Sequence, residues 1–352
     1  MAAYTTIDDP SAYFKVQLYT GNGSANHAIT FDDTDTDMQP DFVWIKNRDA
    51  NDAHCLFDAA RGATKLLSSD ANTAEATDAD TLDSFASDGF QVDADVKVNT
   101  NTEDYVAWNW KANGSGSSNT DGTINTTTTS VNTTSGFSIS TYTGNGSSSQ
   151  TIGHGLGVVP QLIIHKNRDQ NDSWLVRTTV IDASIDYGYL DTGDAFGNAS
   201  GGYEIAWNTS TFSIGSDGST NTNTETYLAY CWRSVQGFSK IGIYKGNGNA
   251  DGPFIYTGFQ PTFIMLKTTT STNGWWMGDS ARSSYNNELS SLYPDDPEEE
   301  YTSSGHEVDW LSNGFKIRNT NGRFNTSDGI YIYIAFAKAP FVNSNGVPCT
   351  AK

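Results

Sequence analysis

The sequence predicts an all-β protein built from three tandem β-sandwich modules of the jelly-roll or concanavalin-like kind. Three observations predict it. One glycine-rich phrase recurs: "YTGNGS" at Tyr19–Ser24 and Tyr142–Ser147, and "YKGNGN" at Tyr244–Asn249. Aromatic residues make up 12% of the chain and charged residues only 17%. Thr, Tyr, Phe, Ile and Val are plentiful while helix formers are sparse, a balance that favours strands. The distance between copies is too long for a solenoid and suits a β-sandwich domain of about 100 residues.

Each copy presents its elements in the same order. An alternating strand runs into the GNG phrase, starting at Phe14, Phe137 and Phe238. Asn-Gly suits the two positive-φ positions of a type I′ turn, and the preceding Gly permits a bulge, so the phrases read as hairpin turns. The third copy has one extra residue before its Tyr, and a bulge would restore its register. A proline and a wholly apolar strand follow: "PDFVWIK" from Pro40, "PQLIIHK" from Pro160, "PTFIMLK" from Pro261. Proline is tolerated at a strand's first position, and apolar side chains on both faces place these strands centrally. A turn then leads to an aromatic-led strand, "SDGFQV" from Ser87, "TSTFSI" from Thr209 and "SNGFKI" from Ser312. The closing strands begin at Glu103, Glu225 and Tyr331. In the first of these, Val106, Trp108 and Trp110 alternate with smaller residues, as one heavily buried face requires.

These landmarks divide the chain into module 1 (1–112), a Ser/Thr/Asn/Gly-rich linker (113–135), a partly degenerate module 2 (136–235) and module 3 (236–352). The linker has no aromatic residue and reads as mobile or extended. Module 1 is therefore expected to swing, while "RSVQGF" couples modules 2 and 3 rigidly. A shared D-x-A-R pairs Asp58 with Arg61 and Asp279 with Arg282, in a short helix or turn, and copy two lacks it. The run "PDDPEEE" in copy three reads as a solvated loop.

Charge excludes several functions. With 20 Lys+Arg against 41 Asp+Glu the formal charge is −21, which repels phosphate backbones and anionic membranes. Cys55, Cys231 and Cys349 are widely spaced and read as isolated thiols. No apolar run reaches membrane-spanning length, and "MAAYTTIDDP" lacks the basic start and apolar run of a signal peptide. An extracellular location would then be reached by cell lysis.

The search for chemistry yields no H-E-x-x-H, nucleophile elbow or P-loop. His154, in "IGHGLGVVP", is expected to tie down loop carbonyls. The "KNRD" phrases at Lys46–Asp49 and Lys166–Asp169 read as turns held by side-chain bonds, and "DDTDTD" from Asp32 as an acidic loop without calcium spacing. No cofactor, metal or enzymatic activity is expected, although carboxylates are numerous enough for a glycosidase pair. The candidate recognition residues are Trp174, Trp275 and Trp276. Adjacent residues on a strand point to opposite faces, so one of Trp275 and Trp276 would face outward, ready to stack on a sugar or anchor a partner. The alternative is core packing.

The run "PDFVWIKNRDANDAHCLFDAARGATKLLSSD", with "TLDSFASDGFQV", "TEDYVAWNWKA", "GHGLGVVPQLIIHKNR" and "YIAFAKAPFVNSNGVPCTAK", resembles a repeat of structural proteins in tailed bacteriophages, especially marine ones. That resemblance implies a virion structural protein, a tail-fibre or appendage component that binds a host-surface glycan or protein. It also implies other virion proteins as partners and a homotrimer as the default assembly, while the acidic charge and the lack of a long apolar run leave no nucleic-acid or membrane-insertion role. A capsid or tail decoration without a receptor role, and a polysaccharide-degrading tail enzyme, are the alternatives. The resemblance brings no catalytic motif with it.

Overall fold

The three copies in the sequence form three corresponding sets of strands, although among the described residues the smaller sheet has three strands in repeats 1 and 3 and two in repeat 2. The computed structural model describes residues 3–31, 36–199, 206–283, 285–286 and 289–350. Strand accounts for 42% of it and helix for 4%, in several antiparallel sheets. Repeat 1 supplies β1 (Phe14–Thr20), β2 (His27–Thr30), β3 (Phe42–Asn47), β4 (Cys55–Asp58), β5 (Gly62–Leu67), β6 (Ala76–Thr77), β7 (Leu82–Ala86), β8 (Gly89–Val92) and β9 (Asp104–Trp110). A further strand, β10 (Thr128–Asn132), precedes repeat 2. Repeat 2 contains β11 (Phe137–Thr143), β12 (Gln150–Gly153), β13 (Leu162–Asn167), β14 (Leu175–Thr178), β15 (Asp186–Tyr189), β16 (Gly197–Asn198), β17 (Thr211–Ile214) and β18 (Thr226–Trp232). Repeat 3 contains β19 (Ser239–Lys245), β20 (Phe254–Tyr256), β21 (Phe259–Thr268), β22 (Trp276–Asp279), β23 (Ser290–Ser291), β24 (Tyr301–Thr302), β25 (Val308–Leu311), β26 (Gly314–Ile317) and β27 (Ile330–Pro340).

The large sheets share one plan. The closing strand is central: β9 lies between β1 and β3, β18 between β11 and β13, and β27 between β19 and β21. Side-chain alternation on these closing strands divides the core in two. Tyr105 and Ala107, Tyr227, Ala229 and Cys231, and Tyr331, Tyr333 and Ala335 face cores private to each repeat, beneath the smaller sheets. Val106, Trp108 and Trp110, then Leu228, Tyr230 and Trp232, then Ile332, Ile334 and Phe336 face a single core shared by all three repeats. There Phe14 stacks on Phe336 at 4.7 Å and Phe42 on Tyr230 at 4.4 Å. Each fully buried side chain of this size contributes about 1.5–3 kcal/mol. At the centre, Phe42, Leu162 and Phe263 with Trp44, Ile164 and Met265 line an apolar gap with about 10 Å³ of room for the centre of a water-sized sphere. That is room for one water without polar partners, so the gap is a packing remnant and not a ligand cavity.

Three expectations change. Segment 113–135 is not a swinging tether: β10 pairs with β11, and Ser117 and Thr129 exchange backbone hydrogen bonds. The polar composition that suggested mobility instead provides hydroxyls that bond to the sheet, such as Thr129 to Ser140 at 3.1 Å. In repeat 3, β19 pairs with β27 continuously from Ser239 to Lys245, without a bulge. The extra residue, Phe238, lies in the tight turn closed by Val235 and Ser239.

The GNG phrases, finally, do not close hairpins. Each links strands of two different sheets, as from β1 to β2. Only the second glycine has positive φ (Gly23 65°, Gly146 70°, Gly248 66°), so no type I′ turn forms. Each corner is held by a buried asparagine at the end of a one-turn helix: α1 (Val96–Asn99), α2 (Gly218–Asn221) and α3 (Gly322–Asn325). Asn99 accepts from Asn22 N at 2.8 Å and donates to Ser24 O and Asp93 O, both at 2.8 Å. Asn221 and Asn325 repeat the pattern on Asn145 and Asn247.

Candidate functional site

Buried polar chemistry concentrates where one repeat meets the next. The apolar strands β3 and β13 end in the KNRD phrases, which places Arg48 and Arg168 at the rims of their repeats. The D-x-A-R turns follow β4 and β22. Asp58 caps its own turn by accepting from Arg61 N at 2.9 Å, and its other oxygen takes Arg61 Nε at 2.5 Å. The arginine side chain is thereby folded back into the interior, so this element is a turn and not a helix.

The joint between repeats 1 and 2 is an ion network. Glu75 accepts from Arg61 Nη1 at 3.0 Å and from both Nε and Nη2 of Arg168 at 2.8 Å. Tyr230 of repeat 2 donates to Asp58 at 2.7 Å. The joint between repeats 3 and 1 has the same construction. Glu300 bridges Arg282 at 3.0 Å and Arg48 at 2.9 and 3.1 Å, while Trp108 Nε1 donates to Asp279 at 3.1 Å. The acidic run in repeat 3 therefore ends on a buried partner rather than in solvent. Burial opposes ionisation of Glu75 and Glu300, but the arginine hydrogen bonds and charges outweigh it and hold both carboxyls below their usual value. Burial also opposes the charge of Arg61, but Asp58 beside it dominates and raises its pKa.

The third joint keeps the backbone and replaces the side chains. Glu75 N donates to Arg168 O, Glu300 N to Arg48 O and Phe196 N to Thr269 O, at 2.8, 2.9 and 3.0 Å. Phe196 thus stands in the place of a glutamate and Thr269 in that of an arginine. By strand register Thr178 occupies the position of Asp58 and Asp279, and Ile334 that of Trp108 and Tyr230. Copy two's missing D-x-A-R and copy three's "KTTT" are therefore the two sides of one joint, which holds Phe196 and Thr269 where the other two hold glutamate and arginine. Phe196 packs on Trp275 there, centroids 6.1 Å apart.

The sequence-predicted tryptophans are all buried, Trp174 and Trp275 in these joints and Trp276 inside repeat 3. Trp174 and Trp276 are 0% exposed and Trp275 2%. Trp174 Nε1 donates to Ser68 O of repeat 1 at 2.8 Å, and Trp275 Nε1 to Tyr189 O of repeat 2 at 2.7 Å. Trp276 faces the private core of repeat 3 and donates to Ser291. Neither of the adjacent pair faces outward, because the strand's second face is covered by the neighbouring repeat. His54 takes the corresponding place in repeat 1. Trp44 Nε1 donates to its Nδ1 at 2.9 Å, so Nε2 carries the proton toward Tyr293 O at 3.0 Å. Burial and the nearby Lys46 charge hold this imidazole well below its usual pKa, so it is neutral.

Three lysines complete the set. Lys46, Lys166 and Lys267 are fully buried at the ends of the central strands. Lys166 Nζ donates to Asn167 O at 2.9 Å, Asp172 O at 2.8 Å and, across the joint, Asn72 O at 3.0 Å. Lys267 likewise reaches Thr192 O of repeat 2 at 3.4 Å. Burial pushes all three down to about 8 against nearby carboxylates that favour the charge. The remaining KNRD residues bond locally: Asn47 accepts from Asp49 N, and Asp49 from Asp104 N. His154 ties its loop through Asn208 O and Leu156 N. Asp32–Asp35 of the acidic phrase lie outside the described residues. Among the described residues no group of three or more His, Cys, Asp or Glu is placed to hold a metal ion.

Sequence reasoning missed Glu75, Glu300 and the clamping asparagines. The glutamates follow their arginines at unequal distances, 14 residues in repeat 1 and 18 in repeat 3, so no fixed spacing reveals them. The asparagines had a signal: each lies six positions before the tyrosine of the closing strand, Asn99 before Tyr105, Asn221 before Tyr227, Asn325 before Tyr331.

No curated protein matches the chain. A family described as a domain of unknown function (DUF7483) matches residues 9–340, from ahead of β1 to the end of β27 and so across all three repeats. On that match the protein belongs to the DUF7483 family.

Proposed function

We propose that the protein is a structural component of a tailed-phage virion, an appendage whose three repeats are β-sandwich modules closed head to tail into a pseudo-threefold body. The observation that carries this reading is where the buried charge goes. Asp58, Arg61, Glu75 and Arg168, and their counterparts in repeats 3 and 1, hold repeats together. A buried ion network's best-attested use is to fix the registry of the parts it joins, which suits a structural body. The sequence resemblance to tailed-phage structural proteins supports the same role. Receptor contact no longer falls to Trp174, Trp275 or Trp276. Gold-labelled antibody on purified particles tests the proposal, with label expected on the tail or its appendages. Particles that carry none of the protein would overturn it.

A decoration role is the second reading, favoured by the internal pseudo-threefold arrangement, since one chain of three repeats fits a threefold site without trimerising. Copy number separates the two. Hundreds per particle support decoration, and a few to tens support an appendage.

A further inference from the structure

The repeats differ at one conspicuous surface, the free edges of their sheets. In repeat 2 both edges are covered by the chain itself. β10 pairs along β11, and Thr127 N donates to Thr141 O at 2.7 Å. The same stretch covers the smaller sheet: Ile124 N donates to Thr151 O at 3.1 Å, and Thr123 and Thr151 exchange N–H to hydroxyl bonds at 2.9 and 2.8 Å. In repeats 1 and 3 the corresponding strands β1 and β2, and β19 and β20, end their sheets. Repeat 1 partly caps itself, because Gln17 Nε2 donates to Leu18 O at 2.7 Å.

In repeat 3 the start of β19 is capped, because Ile241 N donates to Ser234 Oγ at 2.9 Å and Ser239 and Val235 exchange backbone bonds. Tyr4 meets the Tyr256 hydroxyl at 3.0 Å, but from Ile243 onward the edge of β19 and the backbone edge of β20 stay open. Gly246 N bonds to Gly329 O, so by antiparallel alternation Tyr244 and Gly242 point to β27, and the backbone groups of Ile243 and Lys245 point away from it. On β20, Ile317 N bonds to Pro253 O and Thr257 N to Asn313 O, which leaves those of Phe254 and Tyr256 facing outward. Where repeat 2 has Thr151 and Gly153 under its own strand, repeat 3 has Phe254 and Tyr256, 46% and 51% exposed, and Ile243 on β19 is 40% exposed.

We propose that the open edges of β19 and β20 receive an extended segment of another protein, added as a strand in the way residues 123–132 add to repeat 2. Main-chain bonds to Ile243 and Phe254 would hold it, and apolar side chains would cover Phe254 and Tyr256. The occupant is a different protein, because a second copy also carries a charge of −21 and is repelled. Lys245 beside the edge discourages indiscriminate pairing. The inference stands whether or not the virion reading holds.

The probe is a synthetic peptide of residues 117–132 of this chain, added to the whole protein. Hydrogen exchange is expected to slow at residues 243–245 and 254–256. A peptide N-methylated at alternate amides keeps its side chains but loses its donors, and should bind at least tenfold more weakly. Ile243→Pro removes only an outward donor and should weaken binding to a similar degree. Should that variant not fold, the methylated peptide decides alone. Unchanged exchange at both segments, or equal binding of the methylated peptide, would overturn the proposal. So would self-association of the protein through this edge, seen by sedimentation and abolished by Ile243→Pro.

Discussion

At the residue scale, the joints turn single substitutions into sharp tests. Asp58→Asn leaves the buried Arg61 guanidinium with Glu75 as its counter-charge and should destabilise the protein by about 3 kcal/mol, read from urea denaturation. The double variant Asp58→Ala with Arg61→Met removes both charges and should lose less than Asp58→Asn alone. Acid acts on Glu75 and Glu300. Their folded pKa values lie below the unfolded value, so their contribution is complete above about pH 4.3 and is lost as pH falls through the folded values. The urea midpoint of the native protein should therefore fall more steeply below pH 4 than that of Glu75→Gln with Glu300→Gln. The lysines act at the other end of the scale. Folded values of about 8 against 10.5 for the free side chain mean that the unfolded chain holds more protons between those limits. Stability should rise from pH 8 towards 10, by up to about 1.4 kcal/mol per pH unit for each lysine. Lys166→Met should flatten that rise.

At the element scale, the corner between sheets is the repeated device. The first glycine of each GNG phrase lies against the chain after the short helix. A Cβ at Gly21 would meet Thr100 O at 2.1 Å, at Gly144 Thr222 O at 2.3 Å, and at Gly246 Thr326 O at 2.2 Å. Backbone on both sides cannot yield, so Gly144→Ala should cost about 3 kcal/mol or more. Asn221→Ala leaves Ser147 O, Gly215 O and Asn145 N without their partner and should cost about 2–3 kcal/mol. Thermal melting checks both. The phrase was legible as a repeat, and its glycines as necessary. The asparagine that holds it was harder to see, because 76 residues separate it from the corner and only the closed sheets bring the two together. The tryptophans failed for a related reason: strand alternation predicts opposite faces, but not that a neighbouring repeat covers the second one.

At the scale of the whole molecule, closure makes the repeats interdependent. Phe42, Trp44 and Trp110 of repeat 1 pack in the same cluster as Phe137, Leu162 and Trp232 of repeat 2 and Phe263, Met265 and Phe336 of repeat 3. Calorimetry should therefore show one cooperative transition rather than three. A chain lacking residues 1–112 should not fold, since it exposes this cluster and strands Arg168 without Glu75. Two resolved transitions, or a soluble folded truncation, would refute the shared core as the source of cooperativity. The sequence by itself determined the strand class, the three copies and their internal order, because alternation, turn residues and repetition are local. It also held the traces of the joints, in the presence of D-x-A-R in copies one and three and the loss of KNRD in copy three. Only the tertiary structure decided that these belong together. An ion pair's partner is chosen by the packing of distant strands, and here that packing joins the repeats in a ring: 1 to 2 and 3 to 1 through charge, 2 to 3 through Phe196 and Trp275.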